Sequence, residues 1–209
     1  MTAARSFVRD EHGASAAEFA LVLPIFLLFL LGLIDVGRYM WAVNEADKAT
    51  QIGARWAVAT DLIPTQLANY SFAIDGGVDQ GQPVPPSAFS GVHCEASSGT
   101  VACNCIDGTC APGFDPTPGT EGQLAFERIV TRMRSIYPRV SADDVVVDYL
   151  NSGLGFSGDP NGADVSPFIR ISLRNQTFPL FFMLGNDVPL PSFSYALTME
   201  DGSGTTANY

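Results

Sequence analysis

The chain has 209 residues, 46% of them hydrophobic, and a formal net charge of −11 at pH 7. From Asp61 onward 16 acidic residues stand against six arginines, so this part alone has a formal charge of −10. Nucleic acid is excluded as a natural partner, because phosphate binding needs a basic face. Adhesion of the acidic part to an anionic lipid surface is disfavoured for the same reason.

The N-terminal region contains sixteen consecutive apolar, Gly or Pro residues, Phe19 to Ile34. A helix from Ala14 to Ile34 would be about 31 Å long, close to the hydrocarbon thickness of a bilayer. The sequence therefore predicts a polar leader at residues 1–13 and a transmembrane helix at 14–35. A cleaved signal peptide is the alternative. It is disfavoured because no Ala-x-Ala site follows the apolar run and the helical pattern continues beyond it.

The helical pattern extends over residues 36–60, where apolar or small residues recur in steps of three or four without a proline. This segment is predicted to be a helical stalk. Arg5 and Arg9 precede the span and Arg38 follows it, which favours a cytoplasmic N-terminus by the positive-inside rule.

Residues 61–209 are predicted to form one small globular head. Leu124 to Tyr137 has the apolar stripe of an amphipathic helix. Asp144–Leu150, Phe168–Leu173 and Ser192–Met199 have the β-branched or alternating pattern of strands. Phe178–Leu184 is interpreted as a buried connector or short helix, because Pro179 interrupts it. The fold class is therefore α+β: a long N-terminal membrane and stalk helix, then a head with one amphipathic helix and an antiparallel sheet.

The four cysteines lie within 17 residues, in a stretch from Asp75 to Gly122 that is rich in Gly, Pro, Ser and Asp. This stretch is predicted to be a long loop, with residues 94–110 as its Cys-rich part. An even number of cysteines on a translocated segment indicates two disulfides, and the spacing is poor for a zinc knuckle. The candidates are Cys94, Cys103, Cys105 and Cys110. Three pairings are possible, of which Cys103 with Cys105 is the least favourable because its ring is small.

No catalytic or metal site is predicted. Two histidines do not provide a general base with an orienting partner, and no Ser or Cys nucleophile motif occurs. Asp159, Asn161 and Asp164 fit a turn better than a calcium site. The spacing from Asp201 to Thr205 is similar to a metal-ion adhesion motif, but too few residues follow it for such a domain. No cofactor is expected, and the protein is predicted not to be an enzyme.

The N-terminal segment resembles the TadE-like minor pilins or pseudopilins of tight-adherence (Flp-type) pili. The resemblance rests on GASAAEFALVLPIFLLFLLGLIDVGRYMW, from Gly13, and on the later GARWA. It covers about a fifth of the chain and is specific only as a combination. Ala17 replaces the valine more usual in the family, and no part of the head carries a matching motif.

The resemblance implies that a prepilin peptidase cuts between Gly13 and Ala14, which makes Glu18 the fifth residue of the mature chain. A carboxylate within a bilayer costs about 2.5–3.5 kcal/mol at mid-span, less near the interface, and usually serves a partner. Glu18 would pair with the α-amino group of a neighbouring subunit. The alternative is a carboxylate that only reaches the interfacial water.

The implied partners are the peptidase, the major pilin and other minor pilins through the N-terminal helix, and an inner-membrane pilus platform. The implied location is the inner membrane, with a cytoplasmic N-terminus and a periplasmic or extracellular head, or the pilus itself. The expected function is assembly of an adhesive pilus. The alternative is a single-pass anchored binding module that does not polymerise.

Overall fold

The computed structural model describes residues 14–182 and 187–200. The described chain forms two compact units. One contains the first helix up to Ala42 together with Thr177–Val188, and the other contains Val43–Gln176 and the chain from Pro189. Helices and an antiparallel sheet are both present, so the α+β prediction is confirmed.

The first helix, α1, runs from Ala14 to Ala57. Pro24 lies inside it and does not end it, as is common in helices whose neighbouring polar groups can compensate for the lost hydrogen bond. The helix ends three residues before the predicted boundary at Thr60. The Thr60 hydroxyl donates to the carbonyl of Trp56 at 2.9 Å and occupies one of the last helical acceptors.

The second unit is built on a five-stranded antiparallel sheet. Its strands are β1 (Gly91–Ser97), β2 (Thr100–Cys105), β3 (Val145–Leu150), β4 (Phe168–Leu173) and β7 (Phe193–Thr198). They are ordered β2-β1-β3-β4-β7 across the sheet. The last three lie where β-branched residues or an alternating pattern predict strands. Val147 pairs with Cys94 on one side and Ile171 on the other, and all three are buried. This row belongs to the face that forms the core.

The prediction that the Cys-rich stretch is a loop is wrong. Strands β1 and β2 form a hairpin there, and it contains three of the four cysteines. Ser97 pairs with Thr100, so only Ser98 and Gly99 connect the strands. Both turn residues have positive φ, 52° and 81°, as in the two-residue turns that match the twist of a hairpin. The Ser98-Gly99 pair, flanked by alternating buried residues, was the signal for this turn.

The second helix, α2, runs from Gly119 to Arg134 and packs on the core face. It begins five residues before the predicted start, and Pro138 prevents its continuation beyond the last turn. Gly53 of α1 lies close to α2 and the sheet: a Cβ there would be 2.8 Å from Met133 Cγ and 3.6 Å from Ile171 Cγ2. The side-chain amide of Gln123 bonds to both the N–H and the C=O of Val101, which covers part of the edge of β2.

The Phe178–Leu184 interpretation as a buried connector or helix is wrong for its described residues. Thr177–Pro179 is a strand, β5, which pairs with β6 (Asp187–Pro189) in a separate two-stranded sheet. Pro179 is tolerated at the end of a short strand because its missing N–H breaks no inner ladder. Phe181 and Phe182 follow with exposed rings, and Met183 and Leu184 lie outside the described residues.

Candidate functional site

The apolar N-terminal part of α1 has a surface unlike that of a water-soluble protein. Most of its large side chains are exposed, from Phe19 to Ile34. Contiguous apolar surface of this extent marks contact with a membrane or with another protein. The helix is long and apolar enough to cross a bilayer, with mean hydropathy 2.7 and little of its apolar window buried. It is therefore compatible with a single-pass membrane anchor.

The predicted processing and assembly residues lie at the start of this helix. Ala14 is its first residue, and Gly13 and the rest of the leader lie outside the described residues. Glu18 is exposed, one helical turn from Ala14. The carboxylate is therefore accessible to a group from another molecule. Cleavage between Gly13 and Ala14 and the pairing of Glu18 stay predictions.

The apolar run ends at a fully buried carboxylate, Asp35, which sequence reasoning treated only as the end of the span. Its exposed fraction is 0%. The backbone N–H of Phe181 donates to Oδ1 at 3.2 Å, and that of Phe182 donates to Oδ2 at 2.7 Å. Arg38, one turn later, donates from Nη1 to Oδ1 at 3.3 Å. Asp35 thus fixes a segment 146 residues away in sequence to the helix.

Aromatic rings surround this attachment. The guanidinium carbon of Arg38 lies 4.1 Å from the ring centroid of Phe181 and 5.1 Å from that of Phe178, within the range of cation–π attraction. Tyr39 meets Phe178 edge to face at 6.1 Å, an arrangement that aromatic pairs favour. Residues 178–182, called the aromatic segment below, are therefore held by one carboxylate and by Arg38 and Tyr39 of the same helix.

The four candidate cysteines form two disulfides in the structure, Cys94–Cys103 and Cys105–Cys110. The first joins directly opposed residues of β1 and β2. The second ties the end of β2 to the chain that leads towards α2. A pair of disulfides is typical of a compartment that is oxidising.

A row of charged side chains crosses the outer face of the five-stranded sheet. His93, Asp148 and Arg170 are aligned on β1, β3 and β4 by the strand register. His93 Nδ1 is 2.6 Å from Asp148 Oδ1, and Arg170 donates from Nε and Nη2 to Asp148 Oδ2 at 3.0 and 2.8 Å. Asp148 is almost fully buried, and these three bonds supply the partners that a buried carboxylate requires.

The row continues through Glu95. Its Oε2 is 3.6 Å from His93 Nε2 and accepts a 2.6 Å bond from Arg174. That bond, together with the positive charges nearby, lowers the pKa of Glu95 from its usual value. A histidine held by a buried Asp provides two of the three members of an acyl-transfer triad. Here the other ring nitrogen faces a carboxylate, and not a hydroxyl nucleophile, so the arrangement is that of cross-strand charge pairing.

The Asp159–Asp164 region is a closed turn in the structure. Asp164 accepts from the N–H groups of Phe72 and Asp159, and Asp159 accepts from Asn161 N–H. Backbone N–H groups donate to both carboxylates, and the bond from Asn161 to Asp159 is that of an Asx turn. Among residues 14–182 and 187–200, no group of three or more His, Cys, Asp or Glu side chains could hold a metal ion.

Comparison with known proteins gives a match to a family model. Residues 13–55 match the model described as TadE-like protein. No curated protein and no solved structure matches the chain. The matched region contains the exposed apolar run, Glu18 and the Asp35–Arg38 pair. The match confirms, for these residues, the resemblance seen in the motifs. The N-terminal region of this chain, residues 13–55, is a TadE-like region.

Proposed function

We propose that this protein is a minor pilin or pseudopilin that takes part in assembly of a tight-adherence pilus, and so in surface adhesion. The observation that carries the proposal is the long exposed apolar surface of α1 within the TadE-like region. Such a surface can be covered by lipid in the membrane and by other helices in a filament. In a filament, helix packing replaces lipid contacts at little cost, because both are apolar.

The proposed assembly contact is between Glu18 and the amino group of a neighbouring subunit. Processing between Gly13 and Ala14 by a prepilin peptidase creates a positive α-amino group at the first residue of α1. Glu18 lies one turn later, so subunits whose helices are shifted by about one turn, ~5 Å, can join amine and carboxylate. The pair offsets part of the cost of placing each charge in lipid.

The proposed orientation has the N-terminus in the cytoplasm and the head in the periplasm or outside the cell. The two disulfides support it, since they form in oxidising compartments. The arginines of the leader support it through the positive-inside rule. The partners proposed are the prepilin peptidase, the major pilin and other minor pilins, and the inner-membrane pilus platform.

The proposal is tested by isolating the protein from membranes of cells that express the pilus genes, with and without Glu18→Gln. The variant keeps the shape of the side chain but removes its charge. We expect wild-type protein to bring down pilin subunits and Glu18→Gln to recover markedly less of them. Asp47→Asn is the matched control, because Asp47 is an exposed acid of the same helix whose described bond is to Gln51.

Two results would count against the proposal in different ways. Equal recovery of pilins by wild type, Glu18→Gln and Asp47→Asn would remove the role of Glu18 in assembly. A wild-type protein that is isolated as a lone monomer would contradict pilus assembly itself. That second result would favour the alternative, an anchored binding module that does not polymerise.

A further inference from the structure

We propose that the aromatic segment, residues 178–182, is a second membrane-contacting element, whose Phe181 and Phe182 rings lie at the boundary between headgroups and acyl chains. The bilayer is the one that α1 crosses. The inference rests on the membrane placement of α1 in the proposed function, but it does not depend on pilus assembly. The segment lies outside the TadE-like region, residues 13–55.

The position of the segment is fixed by the residue that ends the apolar run. Ile34 and Leu33 are exposed apolar residues of the span, and Asp35 follows directly. The bonds from Asp35 to the N–H groups of Phe181 and Phe182 hold the segment at this level of the helix. When the apolar run lies in hydrocarbon, Asp35 is at its edge, so the bound segment is at the edge as well.

Both rings are largely exposed within the described structure, although Arg38 contacts one face of Phe181. Phe181 is 68% exposed and Phe182 47%. Adjacent phenyl rings exposed beside an apolar helix surface indicate a contact site, and segments that lie in the membrane interface bury Trp, Phe or Leu side chains at the boundary between headgroups and acyl chains. Through Asp35 the rings adjoin the end of the exposed apolar surface of α1, which the proposed function places in the bilayer. That adjacency favours a lipid bilayer as the occupant.

Two backbone N–H groups of the segment, those of Phe181 and Phe182, are hydrogen-bonded within the protein and do not need water as a partner. Irregular backbone is tolerated at membrane depth only where protein groups satisfy its N–H and C=O groups. The carboxylate of Asp35 accepts from two consecutive N–H groups, and its own burial is complete. Arg38 adds a guanidinium that stacks on Phe181 and remains one-third exposed, within reach of lipid phosphates. Asp35 therefore binds the backbone of the segment, and Arg38 places a positive charge beside its rings, where lipid headgroups lie.

The test uses the full chain reconstituted in phosphatidylcholine vesicles whose acyl chains carry bromine near the headgroup or near the chain end. Bromine quenches tryptophan fluorescence on contact. In a background of Trp41→Phe and Trp56→Phe, a single tryptophan is introduced as Phe181→Trp or as Phe26→Trp. A third protein keeps Trp41 and carries only Trp56→Phe. Trp41 lies six residues beyond Asp35, about 9 Å further along the helix, and is the matched aromatic control outside the apolar run.

We expect Phe181→Trp to lose most of its emission with the shallow bromine and less with the deep bromine. Phe26→Trp should be quenched by the deep bromine, and Trp41 should be quenched much less than Phe181→Trp by either lipid. Adding Asp35→Asn to Phe181→Trp should reduce the shallow quenching, because the amide replaces one of the two acceptors. Asp47→Asn in the same background should leave the quenching unchanged.

Three outcomes would overturn the inference. If Phe26→Trp is quenched while Phe181→Trp is quenched no more than Trp41, the helix is in the bilayer but the segment is not. If Phe181→Trp is shielded from bromine and also from aqueous iodide, the rings face protein, such as a second copy of the chain. If Phe26→Trp itself is not quenched, the membrane placement in the proposed function fails together with the inference.

Discussion

Removal of the hairpin disulfide should destabilise the head by a predictable amount. Cys94 and Cys103 are nine residues apart, and Cys105 and Cys110 are five apart. The chain-entropy relation for cross-links gives about 2.6 kcal/mol for the first loop and about 2 kcal/mol for the second, because the longer loop restricts the unfolded chain more. The double variant Cys94→Ala/Cys103→Ala should therefore lose more stability than Cys105→Ala/Cys110→Ala.

The assay is urea unfolding of the full chain in detergent micelles, followed by fluorescence of Trp56 in a Trp41→Phe background. Trp56 reports on the head because Arg132 of α2 stacks on its ring at 5.4 Å. Reduced wild-type protein is the control that keeps the buried sulfur atoms. It should be less stable than oxidised protein by about 4–5 kcal/mol, the sum of the two loop contributions.

The reasoning is refuted if each double variant and the reduced protein unfold with the same free energy as the oxidised wild type. It is also refuted if loss of the five-residue loop is clearly the more costly. Either result would mean that the cross-links do not restrict the unfolded head in the way that their loop lengths require.

Four further predictions concern the core and its ionisable groups. Ile171→Ala should cost about 2–5 kcal/mol in urea unfolding because the side chain is fully buried between the sheet and α1. Tyr149→Phe should cost about 1–3 kcal/mol, since the buried N–H of Ile63 loses the hydroxyl that accepts its 3.1 Å bond. Burial raises the pKa of Tyr149 far above its usual value, so its contribution is complete below pH 10 and is lost above that pH, by up to about 1.4 kcal/mol per unit. Absorbance at 295 nm should show tyrosine ionisation that occurs only on unfolding and that Tyr149→Phe reduces, and an ordinary alkaline titration of all tyrosines would contradict this. The lowered pKa of Glu95, caused first by its bond from Arg174, should give a small stabilisation above about pH 4.5 that Glu95→Gln removes, with acid unfolding as the readout.

The sequence predicted the elements whose signals are local. The alternation in Phe168–Leu173 coincides with β4 as the structure has it. The apolar run was evident because sixteen such residues in succession, together with the helical residues before them, have the length and composition of a membrane span. In contrast, the composition of the Cys-rich stretch suggested a loop, although Ser98-Gly99 is a two-residue hairpin turn. In this stretch the alternation of the residues that flank the turn, and not the composition, corresponds to the structure.

The contacts that define the candidate sites depend on distant parts of the chain. Asp35 and Phe182 are 147 residues apart, and nothing near either residue indicates the other. The row of His93, Asp148 and Arg170 requires three strands in one register. A one-residue shift of any strand would place its charge in the core. Register is set by the whole packed sheet, so local patterns do not give it.

The most direct test of the central claim is the intact mass of the unreduced protein purified from membranes of cells with an active prepilin peptidase. The account predicts a chain that begins at Ala14, retains the apolar helix and has all four cysteines oxidised. A protein that still carries residues 1–13, or one that lacks the residues up to Ile34, would contradict it.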